Sequence, residues 1–322
     1  FQAEDGIRDS STSRGLGDVY KRQVQNVSCF GANDGMIYTS AFGGTLPYQY
    51  SSDGGNTFVP SGTPFGPSGQ ASYFITVVDA QGCTDSDSIY VNEPDLLFIN
   101  NIIEENVSCY DSANGKLTVF HTGGTTPFTY SWSDPLSQST ITANNLSPGN
   151  YNVIVTDTNG CSDTSFSALI TQPDSLYLSI SSSLVSCYGG ADGSASLTAF
   201  GGTPNYSYLW SNGSNSSSIN NVPSLNYTVT VSDNNGCTRV GSVNVSQPQP
   251  ISNIFIRDSV TCVGGNDGFA NALTSGGTPP FSYLWSNSQT TNSVNDLFAG
   301  LNYLQITYTN GCFFNDTVNI LE

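Results

Sequence analysis

Eight cysteines are the residues of this sequence whose types and spacing could do chemistry. Four lie in Val-Ser-Cys or Val-Thr-Cys triplets, which recur at intervals of 80, 78 and 75 residues, and four directly follow a glycine. No Cys-x-x-Cys spacing occurs, so the pattern favours disulfides over metal sites. Disulfides persist in oxidising surroundings, and the sequence therefore predicts an extracellular, cell-surface protein. The two sets are Cys29, Cys109, Cys187 and Cys262, and Cys83, Cys161, Cys237 and Cys312.

Two pairing schemes fit this spacing. The favoured scheme places one disulfide inside each repeat, because small secreted domains usually crosslink themselves, and a loop of about 50 residues would contribute roughly 4 kcal/mol. The alternative pairs cysteines across each junction and leaves Cys29 and Cys312 unpaired. In an immunoglobulin topology the favoured partners would lie at opposite ends of a domain, whereas bonded Cα atoms lie about 4.4–6.8 Å apart. The schemes are Cys29–Cys83, Cys109–Cys161, Cys187–Cys237 and Cys262–Cys312, against Cys83–Cys109, Cys161–Cys187 and Cys237–Cys262.

An acidic or amide residue followed by glycine comes after the first cysteine of each repeat. Asp34, Asp192 and Asp267 are weak candidates for calcium binding, while Asn114 takes this place in the second repeat. Calcium needs six to eight oxygen ligands, and one or two carboxylates per repeat supply few of them. Asx-Gly is also a common turn dipeptide. We therefore expect turns here and predict no cofactor, with structural calcium as the alternative.

Catalytic residues are scarce. His121 is the only histidine, and no phosphate-binding or dinucleotide-binding motif is present. A serine or cysteine nucleophile could therefore have a histidine base only once, with no repeated partner. The sequence predicts a non-enzymatic protein in which His121 is a structural residue on a strand.

Composition excludes several classes of partner. The net charge is −18 and only 10% of residues are charged, whereas nucleic acids and anionic membranes need clustered Lys and Arg. No apolar run reaches the ~18–20 residues of a membrane span, so we expect no membrane insertion in this segment. The 11% of aromatic residues favours folded domains over disorder.

A Gly-Gly-Thr motif followed by alternating aromatic residues occurs four times, starting at Gly43, Gly123, Gly201 and Gly276. Paired glycines permit turns that other residues resist, and alternation indicates a strand with one buried face. The alternation predicts that a tryptophan lies in each of three equivalent cores, and the first repeat has Ser52 at that position. The three tryptophans are Trp132, Trp210 and Trp285.

Six or seven short strands fit each repeat, and nothing of helix length shows a 3.6-residue period. The fold class is therefore all-β, a tandem array of four immunoglobulin-like β-sandwich domains. The predicted domains are residues 24–95, 96–174, 175–249 and 250–322, and the fourth lacks the closing proline of the others. At roughly 30–40 Å per sandwich, four would span on the order of 140 Å.

Residues 1–23 differ from everything that follows. They hold four of the seven Lys and Arg residues and lack the apolar core of a signal peptide. The stretches "QAEDGIRD" and "SRGLGDVYKRQ" resemble a translated sequencing adapter. We therefore expect a non-native leader here, one that cuts off the first strand of repeat one and makes the chain a fragment.

The combined motif "C-x-G-x-x-D-G … GGTPPYxYxW … GxYxVxVxDxNGC … QP" resembles the SprB repeat, and is similar to PKD and other immunoglobulin-like domains. The resemblance covers Val24 to Glu322. It implies a very large, exported cell-surface protein of the kind sent out by type IX secretion, with roles in adhesion and gliding motility. The fourth repeat departs from the pattern, since it lacks the aspartate before "NGC" and is one residue shorter between Tyr303 and Cys312.

Three functions are consistent with the sequence. The first is a fragment of a repetitive bacterial adhesin, in which these domains form a stalk and the surface ligand, a polysaccharide or a protein, is unknown. The second is an accessory immunoglobulin-like region of an exported hydrolase. The third is carbohydrate binding by exposed aromatic side chains of the repeats themselves, which requires tyrosines off the core face.

Overall fold

The structure, a computed structural model, describes residues 20–322. Within them every regular element is a strand except the 3-10 turn Thr309–Gly311. The strands of the first repeat are β1 (Tyr20–Gln25), β2 (Gly35–Ala41), β3 (Gln49–Ser51), β4 (Val59–Pro60), β5 (Phe65–Ser68), β6 (Ala71–Val78) and β7 (Thr84–Val91). Those of the second are β8 (Phe98–Glu105), β9 (Gly115–Thr122), β10 (Thr129–Trp132), β11 (Thr142–Leu146), β12 (Gly149–Tyr151), β13 (Val153–Thr156), β14 (Ser162–Thr164) and β15 (Ala168–Ile170).

The third and fourth repeats have six strands each. The third has β16 (Tyr177–Ser183), β17 (Gly193–Phe200), β18 (Ser207–Trp210), β19 (Ser218–Val222), β20 (Asn226–Ser232) and β21 (Thr238–Asn244). The fourth has β22 (Ser252–Asp258), β23 (Gly268–Ser275), β24 (Ser282–Trp285), β25 (Ser293–Leu297), β26 (Gly300–Tyr308) and β27 (Cys312–Ile320).

Three of the repeats fold into two antiparallel sheets, and in the second repeat β12 and β15 pair as a third, two-stranded sheet. In the third repeat one sheet has the order β16-β17-β19 and the other β18-β20-β21, and the fourth repeat copies this with β22-β23-β25 and β24-β26-β27. Apolar residues alternate along the strands and meet between the sheets. On β20, for example, Val229 and Val231 are fully buried beneath Ala195 of β17 and Ile219 of β19. Four such hydrophobic clusters form, one from the residues of each repeat.

Tryptophan anchors three of the four cores. Trp132, Trp210 and Trp285 are only 3%, 2% and 2% exposed. Each indole N–H donates to a backbone carbonyl, at 2.8 Å from Thr140 O in the second repeat and 2.8 Å from Ser216 O in the third. In the first repeat Tyr50, 1% exposed, is the largest buried side chain instead.

A tyrosine on β6, β12 or β20 marks the first three sandwiches. The hydroxyls of Tyr73, Tyr151 and Tyr227 donate to the backbone carbonyl four residues upstream, at 3.0, 2.9 and 3.1 Å. This arrangement is the tyrosine corner of immunoglobulin-like domains. It closes the turn between the two sheets and gives the tyrosine hydroxyl a backbone partner.

In the fourth repeat an asparagine replaces the tyrosine at this corner. Asn302, 8% exposed, takes the corner position and donates from Nδ2 to Phe298 O at 3.0 Å, while Tyr303 is 62% exposed. The buried residues of β26 are then Asn302, Leu304, Ile306 and Tyr308. The expected one-residue shortening between Tyr303 and Cys312 is wrong, because Tyr303 faces solvent and Asn302 is the true equivalent of Tyr227.

The first repeat does have a first strand. Strand β1 pairs with β2 in continuous register from Tyr20↔Ala41 to Gln25↔Met36. The expectation that the leader removes this strand is wrong, because an edge strand is held by backbone hydrogen bonds that do not depend on side-chain identity. Arg22 also donates to Ser88 O at 2.8 Å and pairs with Asp87. Residues 1–19, the rest of the expected leader, lie outside the described residues.

Two deletions should separate these parts of the leader. Removing residues 1–19 should leave the thermal midpoint within a degree or two. Removing residues 1–23 should cost the first sandwich about 1–2 kcal/mol, because it takes away four of the six residues of β1 and a surface ion pair. Scanning calorimetry of both variants tests this. Equal midpoints for the two variants would contradict a role for Tyr20–Gln23.

The chain forms two compact units. The first runs to Val107 and resumes over Asp111–Gln172. The second comprises Ser108–Tyr110 and Pro173–Glu322. Each unit therefore holds two sandwiches.

Candidate functional site: the junctions between repeats

Three disulfides join cysteines of successive repeats in a pattern that neither predicted scheme contains. The first cysteine of one repeat bonds the second cysteine of the next, with Cα–Cα distances of 5.6, 5.7 and 5.7 Å. The first bond lies within the first unit, and the other two lie within the second, which includes Cys109. The pairs are Cys29–Cys161, Cys109–Cys237 and Cys187–Cys312, and Cys83 and Cys262 are free.

The predicted intra-repeat pairing is wrong because the two cysteines of a repeat lie at opposite ends of the strands. In the second repeat Cys109 precedes β9, whereas Cys161 lies beyond its other end, beside Thr125 and Asp157. The eight residues of β9 span about 26 Å, far more than a disulfide can bridge. The alternative junction scheme is also wrong, since it pairs the second cysteine of a repeat with the first of the next.

The Gly-Gly-Thr motif holds the linker that enters its repeat. In the third repeat the Gly202 N–H donates to Asp174 O at 2.8 Å, and a Cβ on Gly201 would lie 2.1 Å from Ser175 O. The same contact recurs in the second repeat, where Gly124 donates to Asp95 O, and in the fourth, where Gly277 donates to Gln249 O. Each first glycine has a positive φ of 71–76° in these repeats. Glycine is therefore required by both conformation and close approach.

A buried aspartate organises the turn that carries the second cysteine. Asp233, 6% exposed, accepts from the amides of Asn235 and Cys237 through Oδ1, at 2.9 Å each, and from Thr203 N through Oδ2 at 2.8 Å. Asn235 Nδ2 then donates to Ser108 O at 3.0 Å, next to the bonded Cys109. The aspartate thus fixes the cysteine turn on the Gly-Gly-Thr segment. Asp157 makes the same set of bonds in the second repeat.

The calcium candidates instead hold the turn that carries the first cysteine. Asp192 Oδ1 accepts from Ser186 N at 2.9 Å, and its other oxygen accepts from the Ser186 hydroxyl. These bonds, the hydroxyl first, hold the pKa of Asp192 below its ordinary value. The side chains of Ser28 and Thr261 lower the pKa of Asp34 and Asp267 in the same way. Among residues 20–322 no three His, Cys, Asp or Glu side chains come together as a metal cluster.

His121 packs among aromatic side chains of the second repeat. Its ring lies 4.4 Å from that of Phe128, edge to face, and its Nε2 lies 3.1 Å from the Tyr130 hydroxyl. Neither neighbour is a nucleophile that a histidine base would activate at neutral pH. The cysteine and aspartate clusters hold chain segments together.

A tandem of immunoglobulin-like β-sandwiches, linked by disulfides between successive repeats, is the class that the fold and junctions define. The SprB repeat family matches residues 22–57, 102–137, 180–215 and 257–290. The SprB repeat thus matches one segment of each of the four repeats, which confirms the predicted resemblance. SprB repeats belong to surface-exposed proteins, and both repeat and fold indicate a non-catalytic structural module.

Solved structures with related folds are distant. Three N-terminal domains of the Highly Immunogenic Outer Capsid protein of bacteriophage RB49 are 16% identical, with a TM-score of 0.34, and the match covers 70% of this chain and 95% of theirs. Sidekick-1 immunoglobulin domains 1–5 are 11% identical, with a TM-score of 0.31, over 93% of this chain and 76% of theirs. No curated protein sequence matches the chain. Within residues 20–322 no helix is long and apolar enough to cross a membrane.

Replacing Gly201 by alanine tests the clamp on the linker. The new Cβ would lie 2.1 Å from Ser175 O at a residue whose φ is +73°, so we expect a loss of at least about 2 kcal/mol from the third sandwich. Gly213→Ala is the matched control, because Gly213 has φ +84° but open space around it. It should cost only the conformational term of about 1 kcal/mol. Equal losses in urea unfolding would contradict the clamp.

The turn that Asp192 holds predicts a pH dependence of the stability of the third sandwich. Because the pKa of Asp192 is lowered in the folded state, its contribution is present above the unfolded pKa and is lost as the pH falls through the folded value. Asp192→Asn copies the natural Asn114 of the second repeat. The urea midpoint of this variant should lie below that of the parent above about pH 5, and the two should converge as the pH falls through the lowered pKa of Asp192. A difference that is independent of pH would rule out the carboxylate as its source.

Proposed function

We propose that this chain is part of the stalk of a large bacterial cell-surface adhesin, exported by the type IX route. The observation that supports this most strongly is the disulfide that recurs between the first cysteine of one repeat and the second of the next. Such a bond ties successive domains together, which benefits a spacer and contributes nothing to a chemical step. The hydrogen bonds from Gly124, Gly202 and Gly277 also support a spacer, because they fix each linker to the repeat that it enters.

X-ray scattering in solution tests the stalk. Four sandwiches placed end to end at roughly 35 Å each should give a radius of gyration of about 40 Å. A compact protein of this length should give about 20 Å. The compact value would exclude a stalk, whichever ligand the parent protein binds.

Adhesion and export need different experiments. Protease treatment of intact cells should remove these repeats from the cell surface if they are exported there. The complete reading frame separates the adhesin from an exported hydrolase, because dozens of further repeats favour the first and a catalytic domain the second. Gliding motility belongs to the same proposal, and deletion of the gene should then impair movement on surfaces.

Direct ligand binding by the repeats is a second candidate, supported by a regularly spaced aromatic side chain. The residue after the first cysteine is Phe30, Tyr110 or Tyr188 in the first three repeats, and these are 54%, 53% and 53% exposed. Exposed aromatic rings are surfaces on which sugars stack. Replacing all three by serine should abolish retention on a polysaccharide column if the repeats bind carbohydrate, and retention unchanged by the substitutions would leave only the spacer role.

A further inference from the structure

Cys83 and Cys262 are the two cysteines that the structure leaves without partners, and both are exposed. They are not equivalent to each other. Cys83 is the second cysteine of its repeat, like Cys161, Cys237 and Cys312, whereas Cys262 is the first of its repeat, like Cys29, Cys109 and Cys187. Every bonded pair joins one cysteine of each kind.

The turn around Cys83 is built as in the bonded repeats. Asp79, 6% exposed, accepts from Gln81 N at 2.9 Å and Cys83 N at 2.8 Å, and its second oxygen accepts from Thr45 N at 3.0 Å. Asp157 and Asp233 make these bonds in the turns of Cys161 and Cys237. The thiol of Cys83 is therefore carried by the same rigid turn that carries the second cysteine of each disulfide.

The turn around Cys262 matches the turn around Cys187, the first cysteine of a bonded pair. Gly265 N donates to Cys262 O at 2.8 Å, as Gly190 N donates to Cys187 O at 3.0 Å. Thr261 N donates to Asp267 Oδ1 at 3.0 Å, as Ser186 N donates to Asp192 at 2.9 Å. Cys262 is therefore presented in the conformation that Cys187 has when bonded.

We propose that Cys83 and Cys262 each form a further inter-repeat disulfide. In each case the partner is the complementary cysteine of another repeat of this kind. Cys83 takes the first cysteine of a repeat placed before it, and Cys262 takes the second cysteine of a repeat placed after it. When two copies of this chain follow each other, Cys262 of the leading copy bonds Cys83 of the trailing copy. The array is thereby extendable by the same bond at both ends.

The bond forms by thiol–disulfide exchange with oxidised glutathione. One cysteine thiolate attacks the glutathione disulfide and releases one reduced glutathione. The second protein thiolate then attacks the mixed disulfide and displaces the other. Two protein thiols lose their protons and two electrons, and one oxidised glutathione becomes two reduced molecules.

A double-length chain tests the proposal. Glu322 of one copy is followed by Pro-Asp-Ser-Leu, a copy of residues 173–176, and then by Tyr20–Glu322 of a second copy. After oxidation by glutathione under native conditions, free thiols are counted in denaturant and peptides are mapped without reduction. The single chain has two free thiols, Cys83 and Cys262. The double-length chain should also have two, with a peptide that joins Cys262 of the first copy to Cys83 of the second.

Four free thiols in the double-length chain would overturn the proposal, as would a bond from Cys262 to any other cysteine. The three disulfides within each copy, mapped in the same digest, show that both copies have folded. A matched variant carries Cys83→Ser in the second copy only, and should show three free thiols, with Cys262 of the first copy among them. These counts do not depend on the length measured by scattering, so the stalk and the bond can fail separately.

Discussion

Trp210→Ala should cost the third sandwich about 3–5 kcal/mol, because it empties the centre of a core whose other members cannot close around the space. Trp210 is 2% exposed and its ring packs with Leu197, Ile219 and Val229 in one cluster. The second and fourth cores contain no residue of the third repeat, so they should stay folded. The loss of stability is measured by urea unfolding, with hydrogen exchange at the amides of Val229 and Val231 as the probe of the third sandwich.

Leu209→Ala is the matched control for this variant. Leu209 is the neighbour of Trp210 on β18 and is 57% exposed, so its truncation should stay within about 0.5 kcal/mol. The remaining tryptophans, Trp132 and Trp285, report on the other sandwiches in the same experiment. Similar losses for both substitutions, or loss of all sandwiches together in Trp210→Ala, would contradict independent cores.

Removal of the Cys187–Cys312 disulfide should cost about 5 kcal/mol in the chain-entropy account, because the bond closes a loop with a sequence separation of 125 residues. The double substitution Cys187→Ser and Cys312→Ser leaves no unpaired thiol behind. We expect the third and fourth sandwiches to unfold at a lower urea concentration than in the parent, measured without reducing agent.

Cys262→Ser is the control for this second prediction. Cys262 holds the same position in the fourth repeat that Cys187 holds in the third, but it is free and exposed. Its replacement should leave the urea midpoint of the single chain unchanged. A drop equal to that of the double variant would show that the serine substitutions, and not the lost bond, destabilise the protein.

The sandwiches could be predicted from the sequence because each strand carries its own pattern. In the third repeat the stretch "GSASLTAF" from Gly193 predicts the second strand, and β17 spans Gly193–Phe200. Trp210 could be placed on the core face by alternation with Leu209. Prediction failed where the pattern is ambiguous. Asn302 and Tyr303 are adjacent, and the side chain of either could form the corner hydrogen bond. Only the packing of the folded repeat selects the asparagine.

The junctions could not be predicted in the same way, since they depend on contacts between segments far apart in the sequence. Eight cysteines allow 105 pairings, and spacing alone does not say which ends of neighbouring domains meet. The opposite-ends objection correctly identified the weakness of the intra-repeat scheme. The Gly-Gly-Thr motif was understood only as a turn, because its partner, the linker carbonyl of Asp174 or Asp95, carries no side-chain signature.

The three disulfides overlap along the chain, and this has a consequence for how it responds to tension. The shortest covalent route from Cys29 to Cys312 crosses to Cys161, follows only ~26 residues of main chain to Cys187, and crosses again. Those residues contain β14, β15 and β16, which are already extended, and at about 3.3–3.6 Å per residue they can reach no more than ~90 Å. A pulled chain could therefore lose the folded cores of its second and third repeats and lengthen by no more than this short segment allows, because most of both repeats lies outside the loaded route.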